Sequence, residues 1–179
     1  MSKLPRPHSS LHTILTDLPI SAGLKPTGPT NGDCTNSTGQ IYSRASAYNG
    51  SYAIMYAWYW PKDEPISGDG HRHDWESTVV WLDSTKTTLL GVAASEHGNY
   101  ATSRSPHLNG TSPTIEYISY FPLDHQLAFT DITGVQQPLI AWESLPTVAQ
   151  VALNNTDFGD ANVPFKDANF ETNLGEASL

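Results

Sequence analysis

Ser51-Tyr52-Ala53-Ile54-Met55-Tyr56-Ala57-Trp58-Tyr59-Trp60 is the stretch that decides the fold class of this chain. Its residues are apolar or aromatic at both alternating positions, and Pro61 ends the run. That pattern is typical of a β-strand buried on both faces. A second stretch, Asp74–Leu82, is rich in β-branched and aromatic residues and predicts another strand.

Shorter strand candidates lie at residues 89–95, 114–121 and 139–142, with turn residues between them. Helices are few, since helical spacing appears only near 144–153, where Ser144 is the candidate cap, and near 169–177. Many short strands with turns between them favour a mainly β protein, a sandwich or barrel with a few peripheral helices.

The domain organisation follows from composition and length. Residues 1–40 are rich in Pro, Gly, Ser and Thr, which predicts an irregular amino-terminal arm. Residues 41–179 carry the strand candidates and form one predicted domain, a size consistent with the 179-residue chain.

Charge and hydropathy exclude two classes of function. The formal net charge is -9, with 18 acidic against 9 basic residues, and a nucleic-acid-binding protein needs clustered Lys and Arg instead. No apolar run approaches the roughly 18 residues that cross a bilayer, so no transmembrane segment is predicted.

The cellular compartment is left open by these features. Residues 1–5 do not resemble a secretory signal peptide, which leaves both a cytosolic protein and a processed secreted protein possible. Glycosylation sequons at Asn36, Asn49, Asn109 and Asn154 move the balance slightly toward secretion. The single Cys34 excludes a disulfide within the chain.

A cluster of polar residues follows the first strand and carries the candidate chemistry. Because side chains alternate along a strand, Asp74 and Glu76 are predicted on one face and Trp75 on the other. Gly68-Asp69-Gly70 predicts a loop from which His71 reaches the same wall, and Asp63 completes the set.

Three neighbouring carboxylates repel one another unless a cation, an Arg or a shared proton relieves them. Oxygen-rich ligation with one imidazole favours a hard ion such as Mg²⁺, Ca²⁺ or Mn²⁺. The alternative is an ordinary acidic loop in which Arg72 neutralises a carboxylate and His73 is hydrogen-bonded within the structure. His97 and His125 follow strand candidates and are either neighbours of the site or solvated loop residues.

Three segments together resemble the necrosis- and ethylene-inducing-peptide-like proteins, a family of microbial phytotoxic cytolysins. They are Ala53-Ile54-Met55-Tyr56-Ala57-Trp58-Tyr59-Trp60-Pro61-Lys62-Asp63-Glu64-Pro65, Gly70-His71-Arg72-His73-Asp74-Trp75-Glu76 and Leu153-Asn154-Asn155-Thr156-Asp157-Phe158-Gly159-Asp160-Ala161-Asn162-Val163-Pro164-Phe165. The resemblance covers about residues 40–170, and the heptapeptide is far more specific than a generic metal pattern.

The resemblance implies a β-sandwich of two antiparallel sheets flanked by helices, similar to lectins and actinoporins. It implies secretion by a plant-associated microbe and divalent-cation-dependent damage to plant plasma membranes. The implied receptor is a sphingolipid head group, glycosylinositol phosphorylceramide, in the outer leaflet. One departure is that the family's common disulfide needs a Cys upstream of Cys34, and residues 1–33 contain none.

The resemblance also assigns residues. The implied ligands of Mg²⁺ or Ca²⁺ are Asp63, His71, Asp74 and Glu76. Groups expected around the cation or the sugar are His73, His97, Asp124 and His125. Phe121 falls where members of the family place a membrane-facing aromatic.

Three functions follow as hypotheses. The first is a non-enzymatic toxin that binds a lipid head group through a cation and permeabilises the membrane. The second is a metal-dependent hydrolase with Glu76 or His71 as general base. The third is a carbohydrate-binding module without toxicity.

Overall fold

The computed structural model describes residues 39–66, 69–120 and 125–179. Cys34, Phe121 and Asp124 therefore lie outside the described residues, as does all of the predicted arm 1–40 except its last two residues. Within the described ranges there are twelve strands: β1 (Ile41–Tyr48), β2 (Ser51–Trp60), β3 (Asp63–Ile66), β4 (Asp69–His71), β5 (Asp74–Leu82), β6 (Leu89–Glu96), β7 (Asn99–Ser103), β8 (Leu108–Asn109), β9 (Ser112–Pro113), β10 (Ile115–Ser119), β11 (His125–Phe129) and β12 (Leu139–Ala141).

Six of these strands form the main sheet, in the order β12-β1-β2-β5-β6-β7. β12 runs parallel to β1, whereas the other neighbouring pairs are antiparallel. The expectation of purely antiparallel sheets is therefore wrong for this sheet. Only a tight hairpin forces the antiparallel direction, and β12 reaches the edge of β1 after a long connection.

A second layer lies over one face of the sheet. The antiparallel hairpin of β10 and β11 packs mainly on β6 and β5. Two further small sheets are formed, one by β3 with β4 and the other by β8 with β9. Within the described residues, the expected second sheet of the sandwich is thus reduced to two-stranded pieces.

The central strand β5 is buried from both sides, as its sequence predicts. Trp75, Val79 and Trp81 belong to the hydrophobic core on one face, and Asp74 and Glu76 are buried on the other. The predicted separation of carboxylates from aromatics along this strand is confirmed.

The burial of β2 is more one-sided than its sequence indicates. Ala53, Met55 and Ala57 are fully buried, whereas the alternating side chains of Tyr52 and Ile54 are only half-buried. The β10–β11 hairpin covers mainly β5 and β6, so the second face of β2 is only partly covered.

An aromatic cluster anchors the core face of the sheet. Phe165 is 0% exposed, and its ring centroid lies 5.3 Å from that of Tyr42 and 5.7 Å from those of Trp75 and Trp142. The segment that resembles the toxin family thus ends in the centre of the core.

Two short helices close the same face. α1 (Thr147–Asn155) buries Ala149 and Leu153, and α2 (Phe170–Glu176) buries Phe170 and Leu174. The predicted start of the first helix at Ser144 is wrong, because residues 142–144 form a separate 3₁₀ turn and Pro146 precedes α1. Across the described ranges, no helix has the length and apolar character needed to cross a membrane.

Candidate metal centre

Asp63 and His71 are brought together by the β3–β4 hairpin. Their Cα atoms are direct partners in the register, and His71 Nε2 lies 3.9 Å from Asp63 Oδ2. The prediction that His71 reaches the site from a loop is wrong, because it ends strand β4. Asp63 is 1% exposed, so this carboxylate is fully removed from water.

Gly70 makes this close approach of the two strands possible. Its φ is +113°, and a Cβ there would lie 2.3 Å from the Asp63 carbonyl oxygen and 2.9 Å from Glu64 Cα. Both neighbours are backbone atoms, and the φ value itself disfavours any side chain. A glycine is therefore required where the two strands meet.

We expect Gly70→Ala to separate β3 from β4 and to displace His71 from Asp63. Cation binding, measured by calorimetry with CaCl₂ and MgCl₂, should fall at least roughly 10-fold, as when the support of a metal ligand is lost. Gly110→Ala is the control for positive φ, because nothing lies within 4 Å of a Cβ at Gly110. Unchanged cation affinity in Gly70→Ala would contradict this role of the hairpin.

Asp74 and Glu76 enter from the main sheet. They lie opposite Trp60 and Trp58 of β2 in the register. The Tyr117 hydroxyl donates to Asp74 Oδ2 at 2.7 Å.

Glu76 and Asp63 also accept hydrogen bonds within the site. Ser95 donates its hydroxyl to Glu76 Oε2. His125, the first residue of β11, donates its backbone N–H to Asp63 Oδ2 at 3.0 Å, and its Nδ1 lies 2.5 Å from Asp63 Oδ1.

His71 is held in the tautomer that suits a metal ligand. Its Nδ1 lies 2.6 Å from the carbonyl oxygen of His73, which only accepts hydrogen bonds, so Nδ1 carries the proton. In the neutral ring the lone pair is then on Nε2, the nitrogen that faces Asp63. Metal-bound histidines are commonly oriented by such a backbone carbonyl.

The carboxylates of β5 are held in an environment unfavourable to negative charge. Burial raises the pKa of Glu76 to about 8, the charges of Asp74 and Asp63 raise it further, and the Ser95 hydroxyl opposes the shift. Burial also raises the pKa of Asp74 to about 6, against the lowering effect of the Tyr117 hydrogen bond. A bound cation would relieve both the burial and the repulsion of these charges.

The donor chemistry of the site fits a hard divalent cation, while its present geometry does not hold one. Among the residues described, no group of three or more His, Cys, Asp or Glu side chains is arranged to hold a metal ion. Asp63 directs both of its oxygens to His125. Binding would therefore require the Asp63 carboxylate to turn toward the ion, with Asp63, His71, Asp74 and Glu76 supplying the ligands.

The raised pKa values predict how stability depends on pH in the absence of a cation. Glu76 has a pKa of about 8 in the folded chain and an ordinary value of 4.5. The folded chain therefore favours the protonated side chain, and the contribution of Glu76 to the free energy of unfolding is complete below pH 4.5 and is lost as the pH rises through 8. In chelator, the free energy of unfolding should fall across that window. Denaturant titrations should show a smaller fall in Glu76→Gln, and equal slopes in the two proteins would contradict the shift.

The structure places His73 away from the carboxylate cluster. The His73 ring lies on the core side, where its Nδ1 is 2.7 Å from the Tyr59 hydroxyl and its ring packs edge-on to Phe158. Burial lowers the pKa of His73, assisted by the charges of Arg72 and His71. A role for His73 beside the sugar stays a prediction.

The remaining predicted residues are placed as follows. His97 is exposed at the turn between β6 and β7, with a positive φ of 46°, and its role stays a prediction. His125 does contact the site, through Asp63. Phe121 and Asp124 fall outside the described residues.

Sequence reasoning missed Tyr117 and Ser95. Tyr117 falls within the predicted strand 114–121, where an aromatic residue is typical of core, and its neighbours do not indicate which face it occupies. Ser95 ends the predicted strand 89–95, and a single Ser carries no recognisable signal.

Comparison with known proteins agrees with the resemblance found in the sequence. The family model described as necrosis inducing protein (NPP1) matches residues 12–177. NLP effector protein 1 of Phytophthora capsici is 53% identical over 164 residues, covering 88% of this chain and 70% of that protein.

Solved structures extend the likeness to the fold. NLPPya in complex with mannosamine is 48% identical, with a TM-score of 0.82 over 88% of this chain and 76% of that chain. The structure of the non-toxic protein HaNLP3 is 43% identical, with a TM-score of 0.80 over 88% of this chain and 77% of that chain.

Proposed function

Because the chain belongs to the necrosis inducing protein (NPP1) family, we propose that it is a secreted, non-enzymatic phytotoxin. It binds the glycosylinositol phosphorylceramide head group of plant plasma membranes through a divalent cation and permeabilises the membrane. The observation that carries this proposal is the buried cluster of Asp63, Asp74 and Glu76 beside His71. Burying several neighbouring negative charges is energetically unfavourable unless a cation neutralises them.

The ion proposed is Mg²⁺ or Ca²⁺, weakly held by Asp63, His71, Asp74 and Glu76. Four protein ligands leave coordination positions for water or for sugar hydroxyls, which both ions accept. The cation also offsets the net charge of -9 where the chain meets a phosphate-bearing lipid.

A sugar as the recognised group is supported by the relative NLPPya, which has been solved with mannosamine. In this chain the proposed sugar contacts are Asp124 and His125, with His97 and His73 as further candidates. Of these, His125 has a described contact with the cation cluster, through Asp63.

Membrane contact is proposed for the edge of the molecule that carries Phe121, Asp124 and His125. An aromatic side chain can lie at the level of the head groups while polar neighbours bind the sugar. Secretion is supported by the similarity to an effector of Phytophthora capsici.

A second candidate function is sugar binding without toxicity. It is favoured by one observation, the 43% identity and shared fold of HaNLP3, which is described as non-toxic. The fold alone therefore does not decide toxicity, and a functional assay must separate the two.

Binding to vesicles that contain glycosylinositol phosphorylceramide tests the proposal directly. In a flotation assay we expect the protein to bind these vesicles in MgCl₂ or CaCl₂ and to dissociate from them in chelator. It should not bind vesicles of phosphatidylcholine alone. Mass spectrometry of the supernatant should find no released head group. Release of a cleaved head group would instead support a metal-dependent hydrolase, and binding without leakage would support the non-toxic module.

A further inference from the structure

Three aromatic rings from three strands form one stack beside the carboxylates. Tyr117 of β10 lies between Trp60 of β2 and His125 of β11. Its ring centroid is 4.0 Å from that of Trp60 at an interplanar angle of 8°, and 4.6 Å from that of His125 at 9°. The near-parallel planes fix Tyr117 on both of its faces.

The polar atoms of this stack are directed at two different carboxylates. Tyr117 donates its hydroxyl to Asp74 Oδ2 at 2.7 Å, and His125 Nδ1 lies 2.5 Å from Asp63 Oδ1. Asp74 belongs to the main sheet and Asp63 to the β3–β4 hairpin. One stack of rings therefore orients acidic groups that come from separate parts of the chain.

The strand registers explain why the rings meet. Trp60 is the direct partner of Asp74 across β2 and β5, so both project from the same face of the sheet. On the β10–β11 hairpin, Ser119 pairs with His125 and Tyr117 pairs with Leu127. Tyr117 and His125 are therefore diagonal neighbours on one face of that hairpin, which lies over β5.

We propose that Tyr117 is a positioning residue for the cation site, holding Asp74 in the orientation that binds the ion. This inference rests on the proposed function, since it concerns the affinity for the cation. The hydrogen bond from the hydroxyl to Oδ2 fixes how the Asp74 carboxylate is rotated, and it would thereby limit the directions from which this carboxylate can bind a cation. Because a tyrosine hydroxyl is neutral, it supports the carboxylate without replacing the cation as the opposing charge.

The positioning role can be tested by removing the hydroxyl oxygen of Tyr117 alone. Tyr117→Phe keeps the ring between Trp60 and His125 and removes only the hydroxyl. Calorimetric titration with MgCl₂ or CaCl₂ should show cation binding weakened by about 10- to 100-fold, the usual effect of removing the partner of a metal ligand. The thermal midpoint in chelator should stay close to that of the wild-type protein, because the stack is intact.

A matched control lies at the opposite end of β2 from Trp60. Tyr52→Phe also removes one tyrosine hydroxyl, from a ring that pairs in the register with Leu82 and lies 3.9 Å from Lys86 Nζ. Cation affinity should be unchanged in this variant. Leakage from sphingolipid vesicles at saturating cation should recover in Tyr117→Phe, since the ligands themselves are all present.

The possible results separate this inference from the proposed function. Wild-type affinity in Tyr117→Phe, with binding intact in the parent protein, would overturn the positioning role and leave the function standing. A thermal midpoint in chelator that falls well below that of the wild-type protein, together with weaker cation binding, would show that the hydroxyl only stabilises the fold. That result would also overturn the positioning role. Absence of cation binding in the parent protein would overturn both.

Discussion

Replacing Glu76 by Gln or Asp74 by Asn is expected to reduce membrane leakage strongly while the protein stays folded. Each substitution is nearly isosteric and removes one negative charge from a buried cluster. Loss of a ligand should lower cation affinity at least as much as loss of a ligand's partner, by roughly 10-fold or more. Leakage at a fixed, subsaturating cation concentration should fall in proportion.

The effect on stability should have the opposite sign. Burial and the charges of Asp74 and Asp63 disfavour ionised Glu76, so above pH 8 in chelator Glu76→Gln should raise the thermal midpoint. Glu143→Gln, at an exposed position of the 3₁₀ turn, is the control and should change neither property. Wild-type leakage from Glu76→Gln at equal folded concentration would remove this residue from the mechanism.

Replacing Phe165 by Ala is expected to have the largest effect on stability. Its ring is 0% exposed and packs against Tyr42, Trp75 and Trp142. Truncation of a buried Phe costs about 3–5 kcal/mol, because it removes apolar burial and leaves a cavity. For a chain of this length the thermal midpoint should fall by roughly 10 °C.

Cation affinity should survive in Phe165→Ala at temperatures where the variant is folded, because Phe165 lies on the core face of β5 and the carboxylates lie on the other. Ile132→Ala, at a side chain that is 68% exposed, is the control and should leave the midpoint within about 1 °C. Loss of cation binding together with unchanged stability would contradict the division of the two faces.

The sequence predicts the centre of this fold better than its edges. β2 and β5 begin and end where their apolar patterns do, and alternation along β5 correctly places Asp74 and Glu76 opposite Trp75. These are period-two patterns fixed by local geometry. By contrast, β12 runs parallel to β1 because of the route taken by a long connection. No local sequence pattern determines that route.

The candidate site shows the same division. Asp63, His71, Asp74 and Glu76 were identified from the residue types and the family resemblance, and the structure brings Asp63 and His71 into direct register. Tyr117 was not identified, because its part in the site depends on how the β10–β11 hairpin packs over β5. Such packing between distant segments leaves no periodic signal in the sequence.

Dye release from vesicles that contain plant glycosylinositol phosphorylceramide tests the central claim most directly. The account predicts rapid release in MgCl₂ or CaCl₂, no release in EDTA, and recovery when the cation is restored in excess. Vesicles without the sphingolipid should retain their dye under the same conditions. Equal release with and without EDTA, or equal release from vesicles without the sphingolipid, would contradict cation-dependent recognition of the head group.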